Sequence, residues 1–83
     1  MSDYLAEMHR SIERFERAEQ DFADITAECV ELFGPRGEYV ASKTLGRKRA
    51  QGDAAYYRDR AVMYALADLA EQGRPVVVPG VTQ

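Results

Sequence analysis

Between Leu5 and Leu32, apolar residues return every three or four positions without a miss: Leu5, Met8, Ile12, Phe15, Ala18, Phe22, Ile25, Cys29 and Leu32. That spacing lines one face of a 3.6-residue helix, so the stretch reads as a single long amphipathic helix. Ser2 or Asp3 can cap its start. The other face is charged, with Glu13 and Arg17 paired in the favourable i, i+4 order. Phe33-Gly34-Pro35 ends the helix with an apolar last turn, a C-terminal glycine and a proline that cannot continue it. A helix of about 30 residues is long for a globular domain and suits a bundle or a coiled coil.

The stretch Gly34-Pro35-Arg36-Gly37-Glu38 is the only strong turn signal before Gly73, which places the chain reversal there. Beyond it a weaker stripe runs through Ala41, Leu45, Gly52, Ala55, Tyr56, Val62, Met63, Leu66 and Leu69. One kinked helix from about Val40 to Gln72 accounts for it, with any break expected near Gly46–Gly52, because each glycine costs about 1 kcal/mol relative to alanine. A short helix followed by a long one capped at Asp53 is the alternative. The fold class expected is therefore all-α: an antiparallel two-helix hairpin over residues 1–73, followed by a tail over 74–83. Pro75, Pro79 and the Val76-Val77-Val78 run make that tail extended rather than helical.

A reversal centred between Arg36 and Gly37 sets definite residues opposite each other. Asp24 faces Arg49, Arg14 faces Asp59, Glu28 meets the Leu45-to-Arg47 level and Glu31 the Ser42-Lys43 level. Acids near the carboxyl end of the first helix oppose its macrodipole, and a facing basic strip would offset them. Phe22 falls beside Gly52, Met8 beside Ala65 and His9 beside Tyr64.

At 83 residues the chain has room for one domain that buries only about 60% of its unfolded surface, so self-association is the cheapest added stability. From Ala61 to Ala70 only Asp68 is charged. A helix apolar on nearly every side needs more cover than one partner helix supplies. Tyr56, Val62, Met63, Tyr64, Leu66 and Leu69 are accordingly the expected protein interface, joined by Val76, Val77 and Val78 of the tail. A homodimer forming a four-helix bundle is the expected product, with a larger protein partner as the second use of this surface.

The basic residues Lys43, Arg47, Lys48 and Arg49, extended by Arg36, Arg58 and Arg60, form the best nucleic-acid signal. Much of that charge faces acids in the register above, and the pI is about 5.1, so nucleic acid is not the expected partner, and a small nucleic-acid-associated protein using this strip is the runner-up function. Asp24, Glu28 and Glu31 have metal-ligand spacing but no Glu-x-x-His accompanies them, and a solvated face explains them better. His9 and Cys29 lie about 30 Å apart along one helix, too far to act together within a chain. No glycine-rich phosphate loop, nucleophile elbow or zinc spacing is present, so neither catalysis nor a cofactor is expected. The acidic Met1-Ser2-Asp3-Tyr4 start and the lack of a long apolar run point to the cytoplasm and to no membrane. Arginine in excess of lysine and abundant alanine suggest a GC-rich bacterial or phage genome, which is a source and not a function; the expected role is that of a small accessory or phage-encoded regulator.

Tyr64-Ala-Leu-Ala-Asp68 has the Tyr-x-x-x-Asp/Glu pattern, and in this and in size the chain resembles the small helical-hairpin proteins exported by type VII secretion. Their Trp-x-Gly turn is absent, with Phe33-Gly34 at the corresponding bend. The resemblance implies an exported hairpin substrate as a further alternative.

Overall fold

The structure, a computed structural model, describes residues 3–73. Three helices follow one another: α1 (Tyr4–Phe33), α2 (Gly37–Ser42) and α3 (Leu45–Glu71), with a 3-10 turn at Gly34–Arg36. Asp3 caps α1, its carboxylate accepting from the Ala6 N–H at 3.0 Å. Gly34 ends it, with φ at 62°, a left-handed value that favours glycine, and its own N–H returns to the Val30 carbonyl. The described residues are all helix and turn, and α1 and α3 pack as an antiparallel hairpin. Tyr4 stacks on Tyr64 with ring centroids 6.3 Å apart, and the Arg14 guanidinium lies 5.6 Å from the Tyr57 ring. Near the turn Arg47 covers Phe22 at 4.2 Å.

The second arm is interrupted at Lys43–Thr44, not near Gly46–Gly52, and both glycines lie inside α3. Thr44 makes the break. Its backbone is extended, its hydroxyl donates to the Ala41 carbonyl at 2.7 Å, and the same oxygen accepts from the Arg47 N–H at 3.3 Å. One side chain thus closes α2 and caps α3, while the Ser42 hydroxyl donates to the Tyr39 carbonyl at 2.6 Å. Short hydroxyl side chains compete with the helix for backbone partners, and here they outweigh two glycines.

The facing pairs also differ from the simple register. Phe22 lies under Arg47 rather than beside Gly52, Tyr64 meets Tyr4 rather than His9, and Arg14 lies over Tyr57 rather than opposite Asp59. The reversal begins earlier, at Gly34, and α2 then packs at once on the end of α1. A Cβ built on Gly37 would overlap the Val30 Cα and the Cys29 carbonyl, so the backbones there touch. A Cβ on Gly52 meets open space, whereas one on Gly46 would stand 3.2 Å from the Ile25 side chain.

What lies in the seam is small. The buried residues are Ser11, Ala18 and Cys29 of α1, Gly37 and Ala41 of α2, and Ala50 of α3, and among the described residues no large side chain is fully buried. Small residues let the helix axes approach closely, and larger neighbours such as Phe15 and Phe22 are left half-covered on the flank. The two long helices lie side by side, with α2 folded onto the end of α1. The hairpin is a single layer, and no helix in it is long and apolar enough to cross a membrane. The Val76, Val77 and Val78 expectations lie outside the described residues.

Candidate interaction surface

A single layer of two helices has two broad faces, and here they differ in chemistry. On one, Phe15, Glu19 and Phe22 of α1 and Gln51, Ala54, Ala55 and Arg58 of α3 line a shallow groove between the helices. Steps of three and four extend this face through Leu5, Met8 and Ile12 on α1 and through Val62, Leu66 and Leu69 on α3. The opposite face carries Arg14, Arg17, Asp21, Asp24, Arg49 and Asp53, with Tyr57 between them. The long apolar stripe of α1 therefore splits. Ala18 and Cys29 form the seam, while Leu5, Ile12, Phe15 and Phe22 sit on the open face.

The expected interface residues divide in the same way. Val62 is 54% exposed, and Leu66 and Leu69 are half-buried, all on the groove face. Tyr56 and Met63, both about half exposed, stand on the outer edge of α3. Tyr64 turns to the opposite side, where it stacks on Tyr4 and accepts a hydrogen bond from Arg60 at 2.5 Å. Arg60 also lies 5.5 Å from the Tyr56 ring. The hydrogen bond to Tyr64, followed by the negative charge that Tyr56 and Tyr64 can carry, pushes the Arg60 pKa up, so this guanidinium stays charged at any working pH. The half-open Phe15 and Phe22, read from the sequence as core, are members of this surface. Ala54 and Ala55, which line the groove with them, are too small to cover two aromatic rings.

The basic strip is divided between two environments. Lys43 lies over the Tyr39 ring at 5.3 Å, and Arg47 lies over Phe22 and donates to the Glu38 carbonyl at 3.5 Å. Lys48 and Arg49 are exposed. None of the expected ion pairs between the arms forms among the described residues. The pairs present are local, Arg10 with Glu7 at 2.6 Å and Arg58 with Asp59 at 3.3 Å. Asp24 lines a groove with Arg49 but takes its hydrogen bond from the Gln20 amide at 2.8 Å. An exposed ion pair is worth about 0–1 kcal/mol. A cation on an aromatic face gains about as much, and keeps its water on the other side.

Cys29 is buried against α2 and His9 is exposed. Asp68, the acidic position of the export-type pattern, accepts from the Gln72 amide at 2.6 Å. Among the described residues no three His, Cys, Asp or Glu side chains are grouped so as to hold a metal ion. In comparisons with known proteins the chain matches no family model, no curated protein and no solved structure.

Proposed function

We propose that this protein is a non-enzymatic interaction module that works as a homodimer, two hairpins closing on their groove faces into a four-helix bundle. One observation carries the reading: Phe15 and Phe22 of α1 line one groove, helical spacing adds Leu5, Met8, Ile12, Val62, Leu66 and Leu69 to the same face, and none of these is fully buried. Burying a Leu, Phe or Val side chain completely is worth about 1.5–3 kcal/mol, and a second layer would collect that gain at several positions at once. The edge of α3 at Tyr56 and Met63 is the surface left for a larger protein, its aromatic and methionine side chains being those favoured in protein contacts. Nucleic acid is less well supported, since Lys43 and Arg47 are already stacked on rings.

Val62→Glu is the sharpest test, because Val62 stands exposed on the hairpin and its replacement leaves the seam untouched. Light scattering should give twice the chain mass for the parent protein and the mass of one chain for the variant, with helicity retained or lost along with the dimer. A variant that keeps the parent's dimer mass and melting temperature would remove the groove face from the interface.

A further inference from the structure

Two hairpins stacked face to face by a two-fold axis can be arranged in two ways, because the axis lies between the layers and runs either along the helices or across them. Along the helices, α1 of each copy rests on α3 of the other and both turns share one end. Across them, α1 rests on α1, α3 on α3, and the turns point apart. The apolar residues alone accept either arrangement.

The charges at the groove do not. Its α1 wall carries Glu19, and its α3 wall carries Gln51 near the level of Glu19 and Arg58 farther from the turn. Exposed Glu16 lies one turn before Glu19, and exposed Lys48 lies on the α3 side. The cations of α1, Arg10, Arg14 and Arg17, line grooves on the opposite face. The groove flank of α1 is thus acidic, and that of α3 carries Lys48 and Arg58, the latter beside Asp59 at 3.3 Å. Resting on the self-association reading above, we propose that the second copy docks with its axis along the helices, so that Glu16 and Glu19 of each chain lie against the α3 flank of the other between Lys48 and Arg58, and both turns lie together. In the crossed arrangement Glu16 and Glu19 meet the Leu5, Met8 and Ile12 flank of the second copy, which offers no cation. Arg58 then lies near Arg58 of the second copy. Charges flanking an apolar interface fix register and orientation more than affinity, which is the role assigned to these pairs.

The face is large enough. From Leu5 to Phe22 α1 rises about 26 Å, and two helices are about 20 Å wide, giving roughly 500 Å² per copy and about 1,000 Å² in all, the lower bound for a biological interface.

The test uses the full chain carrying one spin label at exposed Arg36 in the turn, as Arg36→Cys with Cys29→Ala, and dipolar spectroscopy between the copies. The shared-end arrangement gives a turn-to-turn distance below about 30 Å, whereas the crossed arrangement gives one beyond about 60 Å. A long distance overturns the proposal and leaves the dimer standing. A single-chain mass for the parent protein overturns self-association itself, so the two failures are distinguishable. Charge exchange supplies an arm that needs no label. Glu19→Arg alone and Arg58→Glu alone should each weaken association about tenfold, and the two together should restore it. A double variant as weak as the sum of its parts would count against the arrangement.

Discussion

The turn and the arms of the hairpin are held together by opposite means. At the turn, Gly37, Cys29 and Ala41 bring backbone against backbone, and Ala41 has no exposed surface at all. Along the arms, Phe15 and Phe22 line a groove with Ala54 and Ala55 and stay half-open. Smallness makes the first region a fixed joint, and size makes the second an unfinished one. Stability of the lone hairpin should therefore depend on the turn, whereas recognition should depend on the arms.

Gly37→Ala is the strongest way to break that contrast. Its methyl group would overlap the main chain of Val30 and Cys29, which no rotamer change relieves, so a loss of about 3 kcal/mol or more is expected, read as the shift in a thermal or urea melt. Thr44→Ala should cost about 1 kcal/mol by removing the α3 cap, with hydrogen exchange rising first at the start of α3. Gly52→Ala reverses the sign. The site opens to solvent, so the melt should move up by about 0.5–1 kcal/mol. Arg49→Glu should change stability by no more than a few tenths of a kcal/mol, because Arg49 is exposed and forms no ion pair with Asp24.

Much of the joint could be read from the residues in order. The unbroken spacing from Leu5 to Leu32 specified α1, and Phe33-Gly34-Pro35 specified its end. The break in the second arm was legible only in part, because Gly46 and Gly52 drew attention away from Ser42 and Thr44, whose hydroxyls act over three residues and leave no mark on periodicity. The division of the α1 stripe was not legible. A face about 100° wide holds both a seam and a flank, and which residues become seam depends on where small side chains let the helix axes approach. The cross-arm ion pairs failed for a related reason: charge counting ignores the aromatic faces of Phe22 and Tyr57, which captured Arg47 and Arg14.

Molar mass by light scattering across a dilution series of the unaltered chain tests most directly whether the open face is built to be covered by a copy of itself. Two chain masses are expected at tens of micromolar, falling toward one on dilution together with loss of helicity or melting temperature. A single chain mass throughout, with an undiminished helical signal and a cooperative melt, would contradict it.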